Sequence, residues 1–250
     1  MRYFIVFSYF GKSYHGWQRQ PNALSVQEVM EDVFSTLLRK QISLTAAGRT
    51  DTGVHARKMV AHADLDLPEQ PEELVRRLNS FLPEDIAVYS FIPVKEDAHA
   101  RFDAIERSYE YWISPKKNPF YMDTAYHLRS PLELSKMNEA ASLLLRFDDF
   151  ECFSKSNTDV KTFLCDIKSA GWVEEEDRIV FRITADRFLR NMVRAIVGTL
   201  LDVGQGKISV ADVKTIIKSK DRSKAGVSVP AKGLYLTEVK YPDRILKIDG

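Results

Sequence analysis

The segment AAGRTDTGVHA, residues 46–56, lies between two stretches of strand-like sequence. Gly48 and Gly53 stand in it, and glycine tolerates backbone torsion angles that other residues avoid in tight turns. We therefore predict a loop here, with one strand ending before Gly48 and a second strand over residues 54–67.

The sequence on both sides of this loop predicts further strands and helices. Ser25 and Glu28 form the capping box that opens a helix, and Pro71 suits the first turn of another. The N-terminal half is predicted to contain a strand at 2–9, a helix from Ser25 to about Lys40, the two strands around the loop, a helix at 71–79 and a strand at 86–93. The order is β-α-β-β-α-β.

The same order recurs in the C-terminal half. Its predicted elements are a strand at 107–114, a helix at 135–147 with a serine cap, two strands around the acidic turn 174–177, a helix at 187–203, a short helix from Ser209 and a strand at 233–240. This repetition predicts an α+β fold of two ferredoxin-like halves with largely antiparallel sheets. We expect the halves to be residues 1–104, with the acidic loop, and residues 105–250.

The composition indicates a soluble globular protein, which we expect in the cytoplasm. No apolar run reaches the ~18 residues that a membrane-spanning helix needs, and the N-terminus has no signal-peptide pattern. Cys152 and Cys165 form no C-x-x-C pair and the five histidines lack metal-ligand spacing, so we expect reduced, structural thiols and no zinc site. With a formal net charge of +1, binding of a polyanion would require a segregated basic face.

Asp51 is the one acid in the loop, and it has more than one interpretation. Its side chain would serve a tight turn by bonding to its own backbone. The triplet Asp51-Thr52-Gly53 also occurs in aspartic proteases, which need two carboxylates that share a proton. The triplet occurs once, so a protease would have to be a dimer, and Arg49 would favour the ionised acid over a shared proton.

Arg187, Arg190 and Arg194 recur at helical spacing in the stretch 187–198. This spacing predicts one basic face on an amphipathic helix, which is commonly a solvated surface. Arg194 has apolar neighbours on both sides, and a guanidinium in such a place usually pairs with a carboxylate or phosphate. Asp51 is a candidate partner.

Aromatic side chains recur at two further places. Tyr109 and Tyr111 share one face of the strand at 107–114, where such rings either join the core or stack on a base. Residues 11–20 form a polar loop that contains glycines, aromatics and cations, which any exposed loop could contain.

Taken together, these segments resemble the TruA family of tRNA pseudouridine synthases nearly from end to end. The strongest element is AGRTDTGVHA at 47–56, which carries the family signature G-R-T-D-x-G-V-H-A. The supporting blocks, in the family's order, are 16–20, 26–27, 99–104, 107–111, 192–198 and 233–236. Two blocks depart from the family pattern, at 9–12 and 228–231.

The resemblance implies an isomerase without a cofactor that breaks the uridine C1′–N1 bond and rejoins the base through C5. Asp51 would be the catalytic nucleophile, attacking either C1′ or the uracil ring. Arg49 would hold the extruded nucleotide, Tyr109 would stack on the uracil, and Arg194 would pair with Asp51. An adjacent guanidinium lowers a carboxyl pKa and so keeps the nucleophile ionised.

The resemblance also implies a homodimer that binds tRNA across both subunits and modifies uridines 38–40 of the anticodon stem-loop. The candidate substrate and phosphate contacts besides Arg49 and Tyr109 are Lys12, Arg19, Lys58, Arg101, Lys116, Lys117 and Arg190. A module that only binds RNA remains an alternative, but it would not need an acid fixed between glycines beside an arginine.

Overall fold

The computed structural model describes residues 1–67, 70–155 and 161–246, which form two compact units. The first unit is Met1–Ile105 together with the chain from Leu236 onward, and the second is Glu106–Tyr235. The chain thus changes unit between Ile105 and Glu106. The sequence interpretation had placed all of residues 105–250 in the second half, whereas the last strand lies largely in the first unit.

The first unit has the β-α-β-β-α-β order expected of a ferredoxin-like half. Its elements are β1 (Arg2–Tyr9), α1 (Val26–Leu38), β2 (Thr45–Ala46), β3 (His55–Asp64), α2 (Pro71–Phe81) and β4 (Ile86–Pro93). Strand β1 lies between β3 and β4 and is antiparallel to both, and β2 pairs with β3. Ser25 caps α1 by accepting a hydrogen bond from the Glu28 N–H, and Pro71 occupies the first turn of α2, as predicted.

The second unit is built on the same plan, with two additions, β6 and α5. Its elements are β5 (Glu106–Ser114), β6 (Tyr126–His127), α3 (Leu134–Leu144), β7 (Ile167–Glu175), β8 (Arg178–Ala185), α4 (Met192–Gly204), α5 (Val210–Ser219) and the start of β9 (Leu234–Lys240). Strand β8 is antiparallel to both β5 and β7, whereas the short β6 is parallel to β5. The α+β class and the largely antiparallel pairing are therefore confirmed.

Two predicted helix starts are wrong. Helix α3 begins at Leu134, its N-cap is Glu133 without a side-chain cap, and Ser135 lies inside the first turn. Helix α4 begins at Met192 rather than at residue 187, because Asn191 adopts a left-handed conformation with φ 66°. A helix cannot continue through a left-handed residue.

The late start of α4 also changes the interpretation of its arginines. Arg187 and Arg190 precede the helix, and only Arg194 lies within it. The helical spacing that placed the three on one face therefore does not apply.

Among the described residues, no helix has the length and apolar character required to cross a membrane.

The two cysteines, Cys152 and Cys165, are buried free thiols, and burial raises the pKa of each to about 12.

Candidate active site

Asp51 lies at the start of a tight turn that leads into β3. The Val54 N–H donates to the Asp51 carbonyl oxygen at 3.1 Å, and Gly53 between them has φ 77°. A turn with positive φ at its third residue favours glycine there, which accounts for Gly53. The Asp51 side chain is partly buried, and Arg49 is exposed. The predicted turn is therefore present, but the bond that closes it is made by the Asp51 main chain and not by its side chain. Such a turn is compatible with a chemical role.

A second loop, residues 10–17, packs closely against this turn. Gly16 has φ 89°, and a Cβ atom on it would lie 2.2 Å from the Thr50 carbonyl oxygen. A Cβ atom on Gly11 would lie 2.0 Å from the Val54 carbonyl oxygen. Both distances exclude any side chain. The two glycines thus let the backbone of one loop touch the backbone of the other on both sides of Asp51.

Thr50 fixes the turn through its side chain. Its Oγ1 hydrogen-bonds with the Tyr9 hydroxyl at 2.7 Å and accepts the Trp17 N–H at 3.2 Å. Both partners belong to the first part of the chain, more than 30 residues away. Thr50 was not identified as a site residue in the sequence analysis. Its position between Arg49 and Asp51 is the feature of the sequence that could have indicated it.

His55 and Phe10 hold the other end of the turn. The Gly11 N–H donates to the buried His55 Nδ1 at 2.9 Å, and the rings of Phe10 and His55 stack with centroids 4.3 Å apart. Phe10 is part of the block that departs from the family pattern. The structure shows what it does in this chain, which is to cover the imidazole.

Tyr14 ties the loop 10–17 to the residue before β4. It is buried, and its hydroxyl donates to Asp85 Oδ1 at 2.5 Å. Burial, followed by this hydrogen bond, raises the pKa of Tyr14 well above its ordinary value. The hydroxyl therefore stays protonated, and its bond to Asp85 is structural.

The two tyrosines of β5 differ in exposure. Tyr111 is fully buried and donates to the Pro230 carbonyl oxygen at 2.8 Å, and burial raises its pKa far above the ordinary value against the opposing charge of Arg194. Tyr109 is only partly buried, and Phe188 meets it edge-on with ring centroids 5.1 Å apart. Tyr109 is thus the accessible ring. Phe188, which the sequence interpretation missed, limits its orientation.

Arg194 is held by the chain segment 228–231, which we call the strap. Its Nε donates to the Val229 carbonyl oxygen at 2.7 Å, and the Val229 N–H donates to the Arg194 carbonyl oxygen at 3.2 Å. Ser228 accepts hydrogen bonds from Asn191 at 2.6 Å and from Arg222 at 2.8 Å. The strap therefore fixes both the start of α4 and the stem of the Arg194 guanidinium.

The candidate phosphate contacts differ in how far acids already neutralise them. Arg19 lies 3.4 Å from Glu28, 3.5 Å from Glu31 and 3.9 Å from Asp32. Lys58 pairs with Glu238 at 2.5 Å. The exposed candidates are Lys12, Arg19, Arg101, Lys116, Lys117 and Arg190, and Lys58 is partly buried. Arg19 and Lys58 therefore carry less uncompensated charge than the sequence suggests.

The residues expected at the site do not all belong to the same unit. Asp51 and Arg49 belong to the first unit, and Tyr109 and Arg194 belong to the second. Within the described ranges, no group of three or more His, Cys, Asp or Glu side chains is arranged to hold a metal ion.

Comparison with known proteins places this geometry in a family. The model of the family described as tRNA pseudouridine synthase matches residues 5–103 and 140–242, which include the Asp51 turn and the start of α4. The chain belongs to the tRNA pseudouridine synthase family. Members of this family are isomerases that convert uridine to pseudouridine. Tyr109 lies between the two matched ranges.

Similar proteins from several bacteria carry the same family name. A protein of Porphyromonas gingivalis named tRNA pseudouridine synthase A is 54% identical over 245 residues, covering 96% of this chain and 97% of its own. Proteins with that name from Bacteroides fragilis and from a Thermoanaerobacter species are 51% and 41% identical, over 98% and 95% of this chain and 98% of each of theirs. The likeness to these relatives therefore extends over nearly the whole chain.

Proposed function

We propose that this protein isomerises uridine to pseudouridine in tRNA, with Asp51 as its nucleophile. The observation that carries the proposal is the position of Asp51, a partly buried acid on a turn fixed by Thr50 and Gly16, within the matched range of the family. A nucleophile needs a defined position, and a turn held by Thr50 and Gly16 supplies one.

The proposed reaction needs an ionised carboxylate next to an extruded nucleotide. The C1′–N1 bond breaks, the C1′–C5 bond forms, and a proton leaves C5 while one is taken up at N1. Asp51 would form a transient bond to C1′ or to the uracil ring, and both routes require the charged form. Arg194 would stabilise that form, since a guanidinium beside a carboxylate lowers its pKa. Arg49, which is exposed, would bind the nucleotide backbone.

Tyr109 is the proposed stacking partner of the target base. A uridine within stacked RNA must be extruded at a cost of a few kcal/mol, and stacking on an aromatic ring offsets about 1–3 kcal/mol of it. The partial exposure of Tyr109 and the edge-on contact with Phe188 support this role, because the ring is both reachable and oriented. Its hydroxyl would be a candidate for the proton transfer from C5.

The finer substrate and assembly are part of the proposal. We propose that the target is the anticodon stem-loop, that the active form is a homodimer, and that it acts in the cytoplasm. The family resemblance supports these points. The net charge of +1 also favours an assembly that joins two modest basic surfaces.

The proposal can be tested with an unmodified tRNA transcript. Purified protein is incubated with the transcript, and pseudouridine is mapped at each uridine. Conversion in the anticodon stem-loop is the expected result. Binding without conversion would contradict the proposal and favour a module that only binds RNA, and pepstatin-sensitive peptide cleavage without conversion would favour a protease.

A further inference from the structure

Phe102 is a large apolar side chain that the fold leaves in solvent. It is 74% exposed and follows the exposed Arg101 in the segment HARFDA, residues 99–104. Single exposed apolar residues are common at protein surfaces and do not by themselves indicate a site. Here, however, the loop that carries the ring is held by hydrogen bonds within itself and to the rest of the first unit.

The segment 99–104, which we call the HARFDA loop, is closed by hydrogen bonds within itself. The His99 N–H donates to Asp103 Oδ2 at 2.6 Å, and the Asp103 N–H donates back to the His99 carbonyl oxygen at 3.0 Å. His99 Nδ1 accepts the N–H groups of Arg101 at 3.1 Å and of Phe102 at 3.4 Å. The backbone that carries Phe102 is therefore held in one conformation.

The loop is also anchored to the core of the first unit. The buried His62 accepts the Ala100 N–H on its Nδ1 at 3.1 Å, and Tyr241 donates to the Ala100 carbonyl oxygen at 2.6 Å. Arg2 donates to the Ala98 carbonyl oxygen at 3.1 Å, just before the loop. These bonds come from β3, from β1 and from the chain after β9, so the loop cannot shift without disturbing all three.

Three rings lead from the core to the surface. The His62 and His99 rings meet edge to face with centroids 4.6 Å apart, and the His99 and Phe102 centroids are 4.3 Å apart. The Arg101 guanidinium lies 5.7 Å from the centroid of the Phe102 ring. The Phe102 ring thus contacts the His99 imidazole and lies near the Arg101 guanidinium, while most of its own surface remains in solvent.

We propose that Phe102 is a stacking platform for an unpaired nucleobase of the RNA, with Arg101 bound to a neighbouring phosphate. The proposal rests on the proposed function in so far as RNA is the substrate. An exposed aromatic face next to a guanidinium matches the two parts of a nucleotide, since the base offers a π face and the phosphate a negative charge. Because the ring is already fixed, little conformational entropy is lost on binding.

The test compares Phe102 variants with a matched control in the same unit. Phe81, the last residue of α2, is also exposed, at 60%, and precedes the buried Leu82. Affinity for an unmodified tRNA transcript is measured for Phe102→Ala, Phe102→Tyr, Phe102→Leu and Phe81→Ala. We expect Phe102→Ala to weaken binding by about 5- to 150-fold, the range that stacking on one aromatic ring represents. Phe102→Tyr should stay within about threefold of the wild type, because it keeps the π face.

The leucine variant separates stacking from simple apolar contact. Leucine keeps an apolar side chain but has no ring, so Phe102→Leu should resemble Phe102→Ala. Phe102→Ala binding as tightly as Phe81→Ala would overturn the platform. So would Phe102→Leu binding like the wild type, or a change in oligomeric mass of Phe102→Ala, which would identify the ring as a contact between copies of the chain.

Pseudouridine formation by the wild type is measured on the same transcript. It distinguishes failure of this proposal from failure of the proposed function. If the wild type converts uridine and the variants bind like it, the platform alone is wrong. If the wild type binds the transcript without converting it, the enzymatic proposal fails, while the binding series still decides the role of Phe102.

Discussion

Asp51 stands on a turn that its own carbonyl oxygen closes and that its neighbours Thr50 and Gly16 hold in place. Thr50 bonds to Tyr9 at the end of β1 and to Trp17 in the loop 10–17, and Gly16 permits a backbone contact that no other residue would allow. These contacts hold the backbone on both sides of Asp51 in place. At the level of single residues, therefore, we expect both the activity and the stability of the protein to depend on Thr50.

Thr50→Val is expected to lower activity and stability together. Valine has the shape of threonine but cannot bond to the Tyr9 hydroxyl or the Trp17 N–H, and leaving such partly buried groups without partners costs about 1–3 kcal/mol. The measurement is the free energy of unfolding in urea with single-turnover rates. Thr50→Ser, which keeps the hydroxyl, is the control. Equal behaviour of the valine and serine variants would show that the hydroxyl does not hold the turn.

Tyr109 allows stacking and proton transfer to be separated. Tyr109→Ala should weaken capture of the extruded base by ~1–3 kcal/mol, because the ring is lost. Tyr109→Phe should bind like the wild type, and it should slow the chemical step by ~10²–10⁴-fold only if the hydroxyl moves a proton. Single-turnover rates at saturating enzyme measure both. An active, folded Tyr109→Ala would remove Tyr109 from the site.

At the scale of elements, local sequence patterns predicted most strands and helices of both units. Patterns of alternation, the Ser25 cap and Pro71 are local signals, and the elements they predict are present. The start of α4 was missed because it depends on a distant contact. Asn191 is left-handed and bonds to Ser228, which lies 37 residues away. The contacts of Gly16 and Thr50 were missed for the same reason.

The same limit applies to the candidate site. Asp51, Arg49, Tyr109 and Arg194 could be selected from motifs, since motifs record residue types at fixed spacing. Their surroundings could not, because Phe188 beside Tyr109 and the strap beside Arg194 come together only in the folded chain. Likewise, only the structure shows that Lys58 already pairs with Glu238.

His62 gives its part of the first unit a predictable dependence on pH. Burial, then the charges of His99 and Arg2, lower the pKa of His62 to about 4, against the opposing effect of Asp64 and Asp103. The unfolded chain, with an ordinary pKa near ~6.5, therefore binds a proton first as the pH falls. The stability associated with neutral His62 is present above pH ~6.5 and is lost progressively down to about pH 4.

The measurement is urea unfolding between pH 4 and pH 7. We expect the wild type to lose stability across this window, and His62→Asn, whose amide oxygen still accepts the Ala100 N–H, to lose less. An identical slope for both proteins would show that His62 is not responsible.

At the scale of the whole molecule, the near balance of 36 basic and 35 acidic residues means that RNA affinity depends on where the cations lie. We expect tRNA affinity to fall steeply with salt, because each neutralised phosphate releases counterions. Lys117→Ala, at an exposed site, should reduce the slope of log affinity against log salt by about one unit. Lys58→Ala should reduce it less, since Lys58 pairs with Glu238. A slope near zero for the wild type would exclude a broad phosphate-binding surface.

The most direct measurement of the central claim is the activity of Asp51→Asn on an unmodified tRNA transcript under single-turnover conditions, with binding measured in parallel. Asparagine keeps the shape of the side chain but is a far poorer nucleophile than a carboxylate. We predict no detectable pseudouridine from the variant, tRNA affinity within a few-fold of the wild type, and pseudouridine formation by the wild type. Pseudouridine formed by a rigorously purified Asp51→Asn preparation would contradict the assignment of Asp51 as the nucleophile.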